Sequence, residues 1–482
     1  MSSIRNIPVD ILYTIAQNVG SPRELVLVCK RWHDIVLFAP SLWTNIHIRL
    51  SGEPPLPGYL TTERIARAAL RRAGPTTKLC LYLDIDDNIS EHPDSTIAVV
   101  DMIKSRGYQF IRELTFGGYW DWCDDIPQES ISPLFSRLVG EWDSLLCLHL
   151  GTLPSHIWGS TALLSFLDSA ISTASALQSI SISSSIPPLI GRKLARKRSL
   201  IDLDITSSRS GYATLRFSVW PNIKSLNIST TRSYHPFLEH QLDLRAIDPP
   251  SSAEDIVAFP LLTRAVFINH TLDFRFKLRL ESLTDLVLRY VHIKAMGPHS
   301  VEMPLLRNLS VEMTGMVDSI VAPRLETLSI GPLLAQLPVT DYLSELFPGH
   351  SQQLDPVHLD LRPLYNGRVP WDGAVPLAAI SCLRRVERIS IGSPELVCGT
   401  KRCMYRMLKS VKDDDENSTK AMVMLPKWKE MDLEGDDVPD WLEDIVIARQ
   451  VAGFPVQLNH TKDRCGEYWR RNFTAELGRY LG

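Results

Sequence analysis

Cysteine is scarce in this chain. Eight residues stand at 29, 80, 123, 147, 382, 398, 403 and 465 of 482, at irregular intervals that spell no disulfide framework. Cys398 and Cys403 have neither a C-x-x-C neighbour nor a closely spaced histidine pair, so no zinc or other metal site is expected. Long apolar runs are missing too: nothing approaches the roughly 20 residues a spanning helix needs, and no membrane association is expected. Charge of one sign is not in excess. The formal net charge is −4, whereas a dedicated nucleic-acid binder carries a basic surplus, so no nucleic-acid partner is expected. G-x-S-x-G, H-E-x-x-H and G-x-x-x-x-G-K-[ST] are all absent, which leaves no catalytic residue, no cofactor and no enzyme to propose from motifs. The opening "MSSIRNIPVDIL" lacks a charged stretch followed by an apolar run and a small-residue cleavage site. An intracellular placement, cytoplasmic or nuclear, is the expectation.

What is present begins with helical spacing. Pro8 suits a first helical turn, because its missing N–H costs nothing there. Ile11, Leu12, Ile15 and Val19 then recur on one face, and Gly20 stops the helix. "SPRE" (21–24) supplies a cap for a second helix carrying Leu25, Val28, Cys29 and Trp32, continuing to Ile35 and Val36. Val26 and Leu27 lie off that stripe, so this helix is apolar around much of its girth and must be covered on more than one side. A unit of roughly 40 residues cannot shelter that much apolar surface alone. Either the following domain or a foreign protein covers it.

"IPVDILYTIAQNV", "LVLVCKRWHDIV" and "PSLW", in that order, resemble an F-box. The resemblance spans residues 4–48 and implies three short helices that dock on a Skp-type adaptor and, through it, a cullin. Carried over position by position, it implies adaptor-binding roles for Pro8, Ile11, Leu12, Ile15, Leu25, Val28, Cys29 and Trp32. Ala16 stands where the family often has a large aromatic, and the span from Pro8 to Val28 is shorter than usual. The following "SGEPPLPG" (51–58) is a connector by its proline and glycine content. A helix ending near Gly74 and a strand come next, an arrangement similar to F-box proteins of mushroom-type fungi.

Beyond the connector one pattern recurs: apolar-x-x-apolar-x-apolar. It starts at Ile111, Leu145, Leu177, Leu200, Ile223, Leu262, Leu283, Leu306, Leu325, Leu354, Val386 and Trp428. Spacings of 19 to 42 residues bracket the period of leucine-rich repeats and their irregular relatives. Alternation in a strand puts the fifth position opposite the fourth and sixth. The fifth positions are Thr115, His149, Ser181, Asp204, Asn227, Val266, Val287, Ser310, Ser329, His358, Ser390 and Asp432. All but the two valines are polar, so one face is core and the other is wet. Helix-length segments such as "STALLSFLDSAISTAS" (160–175) and "SAEDIVAF" (252–259) lie between strands, as parallel neighbours require. A doubly wound sheet is the alternative, but its strands would read as continuous apolar runs.

The fold class expected is therefore α/β: a three-helix F-box (1–50), a linker and connecting helix (51–77), a curved leucine-rich-repeat-like solenoid of parallel strands and helices (78–460), and a C-terminal capping helix (461–482) bearing Trp469, Phe473, Leu477 and Tyr480. Function follows as an expectation: a substrate receptor of a Skp–cullin–F-box ubiquitin ligase, holding an unidentified protein target. The alternative is an interaction scaffold outside any ligase. Three further stretches are read as packing or solvated surface: the basic "GRKLARKRS" (191–199), which alternatively is an import signal or a contact for an acidic partner, the aromatic "YWDWC" (119–123), whose tryptophans serve equally as binding anchors, and the acidic "DDDE" (413–416).

Overall fold

The computed structural model describes residues 7–18, 28–50, 62–85, 93–117, 128–151, 153, 157–183, 188–207, 214–217, 220–230, 241–246, 259–268, 271–273, 278–289, 291–294, 301–312, 320–330, 356–361, 385–392, 427–434, 446–447, 449–450 and 454–461. The chain divides into two compact units, Met1–Ser208 and Arg209–Gly482. Both are built on parallel strands, and helices join them in the first, so the class is α/β. Among the described residues no helix is long and apolar enough to cross a membrane.

In the first unit, α1 (Val9–Asn18) and α2 (Lys30–Phe38) precede β1 (Asn45–Leu50). Strand and helix then alternate: α3 (Thr62–Arg72), β2 (Leu79–Ile85), α4 (Pro93–Arg106), β3 (Ile111–Gly117), α5 (Gln128–Arg137), β4 (Cys147–Leu150), α6 (Thr161–Thr173), β5 (Ser179–Ile182), α7 (Pro188–Ala195) and β6 (Asp202–Ser207). The strands pair in chain order, all parallel. Register stacks Ile46, Leu81, Leu114, Leu148, Ile180 and Leu203 into one buried row, which is what alternation predicts for a sheet with one covered face.

Local chemistry sets the helix ends. Ser160 caps α6, its Oγ accepting from Leu163 N–H at 3.2 Å. Gly74 follows α3 at φ 74° and Gly107 follows α4 at φ 98°, a conformation that other residues adopt only under strain. Arg106, at the end of α4, donates to Leu70 O at 2.8 Å, to Gly74 O, and to Thr77 O at 3.1 Å. One guanidinium thus satisfies the carbonyls where α3 gives way to β2. Between helices and sheet lies an aromatic cluster. Phe166 meets Phe116, Phe135 and Trp142 with ring centroids 5.7 to 5.8 Å apart, and Tyr108 stacks on Trp142 at 4.3 Å.

The second unit begins with β7 (Thr214–Phe217), β8 (Ser225–Thr230) and β9 (Gln241–Ala246). Its next coil holds β10 (Arg264–Ile268), β11 (Thr271–Asp273) and β12 (Leu278–Arg279). β13 (Asp285–Arg289), β14 (His292–Lys294) and β15 (Val301–Glu302) form another, followed by β16 (Asn308–Glu312) and β17 (Ile320–Val321). β18 (Thr327–Ile330), β19 (His358–Leu361), β20 (Arg388–Gly392), β21 (Glu430–Glu434) and β22 (Gln457–Thr461) complete it. Equivalent strands stack on one another. The main row runs β8, β10, β13, β16, β18, β19, β20, β21, β22, beside a four-stranded sheet (β14, β11, β9, β7) and a three-stranded one (β12, β15, β17). From Leu280 to Leu328 none of its buried hydrophobic side chains is aromatic among the described residues.

Several expectations change here. Helix-length segments between strands are the expectation, and the first unit has helices there, whereas the coils from β10 to β17 return through short strands. Of "SAEDIVAF" only Phe259 is described, and it is buried. The strand expected to start at Leu354 is framed two residues later: Ser329 is in register with Asp360, and Asp360 with Ser390. Asp360 therefore occupies the rung assigned to His358. A two-residue shift keeps every side chain on its own face, so alternation does not detect it. The second helix was read as continuous from residue 21 to Val36, but Cys29 is extended (φ −165°, ψ 166°) and α2 starts after it. The C-terminal helix, the 119–123 aromatics and the 413–416 acidic run lie outside the described residues.

Candidate functional site

Two stripes run along α1. Leu12 and Ala16, four apart, are buried at 0% and 1% exposure, while Ile11 and Ile15, also four apart, are 48% and 42% exposed. Val9 and Val28 are each 57% exposed, and Pro8 is exposed as well. Trp32 and Val36 of α2 are buried with Leu12, and Arg31 Nη2 ties the two helices by donating to Ile7 O at 2.5 Å. Fully burying an aliphatic side chain of this size yields about 1.5–3 kcal/mol, so each half-exposed one forgoes on the order of 1 kcal/mol.

The eight residues that the resemblance assigns to an adaptor therefore separate. Pro8, Ile11, Ile15 and Val28 lie on the surface, Cys29 is half-buried, and Leu25 is outside the described residues. Leu12 and Trp32 lie in the core. Sequence reading missed Val9, one position after the proline. Ala16 is small because it packs inward.

Of the two helices, α2 runs into the sheet through described residues alone. Trp43, in the 3₁₀ turn Pro40–Trp43, donates its Nε1–H to Val36 O at 2.7 Å. The Arg72 guanidinium of α3 lies 4.7 Å over the Trp43 ring. Two residues on, β1 pairs with β2 from Asn45↔Cys80 to Leu50↔Ile85.

A second candidate is the wet face of the strands. In the first unit Glu113 stands in register between Cys80 and Cys147. Burial, then the Glu113 carboxylate, pushes the Cys80 thiol up to about 11, and the same two causes raise Cys147. These are protonated thiols, unsuited to nucleophilic work near neutral pH. In the second unit Ser390 Oγ donates to Asp432 Oδ2 at 3.1 Å, and His358 Nε2 sits 2.8 Å from the same hydroxyl. A nucleophilic triad places imidazole between carboxylate and hydroxyl; here the hydroxyl is in the middle. Burial raises the Asp432 carboxyl, but hydrogen bonds from Arg388, Asn459 and Ser390 outweigh it and hold the group below its usual range. So weak a base does not activate Ser390. Among the described residues no group of three or more His, Cys, Asp or Glu side chains is placed to hold a metal ion.

The basic stretch at 191–199 is spent partly on packing. Lys193 pairs with Asp168 of α6, and Lys197 donates to Ser172 O and Ala174 O at that helix's end. With Leu194 buried, the segment is not an extended peptide for an import receptor. Models of known protein families match no part of the chain, and no curated protein matches its sequence.

Proposed function

We propose that the chain is a substrate-receptor subunit of a Skp–cullin–F-box ubiquitin ligase, with an F-box at its N-terminus and a leucine-rich-repeat-like solenoid after it. The stripe of Val9, Ile11, Ile15 and Val28 docks a Skp-type adaptor, and through that adaptor a cullin. The wet face of the parallel strands presents a protein target. One observation carries this reading: α1 buries one aliphatic stripe within its own unit and leaves a second, equally aliphatic, exposed. Helices with such i, i+4 anchors fit an apolar groove on a partner. Catalysis then comes from other subunits, and this chain contributes proximity by holding the target at high effective concentration. Trp43, bonded to Val36 O of α2 just ahead of β1, ties α2 to the first unit.

The test is co-purification of the full chain with a recombinant Skp-type adaptor. Wild type binds, and Ile11→Asp with Ile15→Asp weakens binding by at least about a hundredfold, since burying two charges in an apolar groove costs several kcal/mol. Both positions are exposed in the free chain, so its thermal transition stays in place. Absence of wild-type binding removes the ligase assignment and leaves an interaction scaffold.

A further inference from the structure

The wet face of the second unit is polar at nearly every fifth position. Ser310, Ser329, Asp360, Ser390, Asp432 and Asn459 follow one another in register. Several bond across strands, Ser329 Oγ to Asp360 at 3.0 Å and Asn459 Nδ2 to Asp432 at 3.0 Å. Two consecutive rungs break the rule. Val266 is in register with Val287, and Ile268 lies two residues beyond Val266 on the same face. All three are half-buried, the same exposure class as Ser310 and Ser329 beside them. The strand itself does not require valine there, because β16 and β18 hold the same register with serine.

Charge surrounds this apolar island. Arg264 sits two residues before Val266 and Arg289 two residues after Val287, both exposed. Asp285, in register with Arg264, has its carboxylate taken by Asn308 Nδ2 and Thr284 Oγ1, each at 2.7 Å. Among the described residues none pairs with the Arg264 guanidinium. Same-face neighbours along a strand are about 7 Å apart and adjacent strands about 4.8 Å. The island is thus one apolar seat with a cation roughly one same-face step away.

We propose that Val266, Val287 and Ile268 seat an apolar side chain of a target protein segment while Arg264 takes a carboxylate two residues from it. An extended segment repeats its same-face side chains every second residue, so the pattern sought is Asp or Glu, any residue, then a large apolar residue, or its reverse. This deepens the target-binding half of the function proposed above and is independent of the adaptor half.

The experiment selects random dodecapeptides displayed on phage against the immobilised full chain. Enrichment of an acidic residue two positions from a large apolar one is expected. Val266→Ser with Val287→Ser weakens a selected peptide about tenfold or more, the equivalent of losing one well-seated methyl-bearing side chain, and leaves adaptor binding and the thermal transition unchanged. Arg264→Glu turns the flanking preference from acidic to basic. Three results overturn the proposal: no enriched pattern, selected peptides that bind wild type and the valine double variant equally, or a flanking preference that Arg264→Glu does not move. Sedimentation showing a dimer that dissolves in the double variant overturns it in favour of self-association.

Discussion

Between β2 and β3 the chain makes room for a helix of fourteen residues, α4; between β13 and β16 it returns through strands of three and two residues, β14 and β15. The difference shows in what fills the interior. A helix packed on a sheet holds its axis about 10 Å away, a gap that Phe116, Phe135, Trp142 and Phe166 bridge in the first unit. A strand-sided coil is narrower, and Leu283, Leu286, Leu306, Leu309 and Leu325 suffice there. From β13 to β18 side-chain size thus follows the length of the return, not the strands, whose sequence pattern is the same in both units, whereas at β10 Phe267 still fills a strand-sided coil.

That contrast is broken most directly at Phe166, which touches three other rings. Phe166→Ala costs about 3–5 kcal/mol, and because the ring links β3, α5 and α6 the loss is felt across the first unit. Leu309→Ala costs about 2–4 kcal/mol, but in a stack where each coil meets only its neighbours the damage stays at adjacent rungs. Hydrogen exchange read by mass spectrometry separates the two. Equal spread of faster exchange in both variants would contradict the distinction.

Arg106 offers the next largest effect. Its three carbonyl acceptors have no replacement donor if the guanidinium is lost, so Arg106→Leu destabilises by about 2–3 kcal/mol. Arg106→Lys does not restore it, since one ammonium cannot reproduce the planar fork. Both units also step from coil to coil through backbone bonds, Leu146 N to Arg112 O at 2.7 Å in the first and Thr284 N to Thr263 O at 2.8 Å in the second, so the Arg106 clamp adds to that ladder where α3 gives way to β2. Urea denaturation of the full chain detects the shift.

Much of this was legible in the sequence, and the gaps have specific causes. A helix ending near Gly74 and the polar fifth positions of the first unit follow from local chemistry, and the structure places them as expected. Two strands share one reason for being misframed or missed. β19 and β22 are preceded by Pro356-Val357 and Pro455-Val456, where the other repeats carry a bulkier first residue. β2 has Lys78 in that place, and β1, preceded by Trp43, fits the pattern but is hidden inside the stretch resembling an F-box. Return strands of two or three residues are too short for alternation to register. On α1 both stripes are aliphatic at helical spacing, so packing alone decides that Leu12 turns inward and Ile11 outward.

Acid sharpens the comparison at the far rungs. The Asp432 carboxyl is held below its ordinary 3.8, so its contribution is present above that value and is lost as pH falls through the lower, folded one. Exchange protection of β20 to β22 accordingly drops below about pH 4 ahead of that in β2 to β4, and Asp432→Asn, which keeps an acceptor but cannot titrate, removes the difference. Simultaneous loss in both regions of wild type would mean that Asp432 is not what holds these rungs.

The smallest effect concerns the wet face of the first unit. Where the second unit spends its wet surface on hydrogen bonds, the first places two thiols on either side of Glu113. With Cys80 raised to about 11 by burial and then by that carboxylate, its thiolate is on the order of 0.1% of the thiol at pH 8. Iodoacetamide therefore modifies Cys80 roughly a hundredfold more slowly than an ordinary exposed thiol. The rate climbs with pH until near 11. Glu113→Gln removes the charge while keeping an acceptor, so it speeds alkylation by a few-fold with no change in folding. A rate that levels off near pH 9 would show that burial and Glu113 do not control this thiol, and the wet faces of the two units would then differ in composition only.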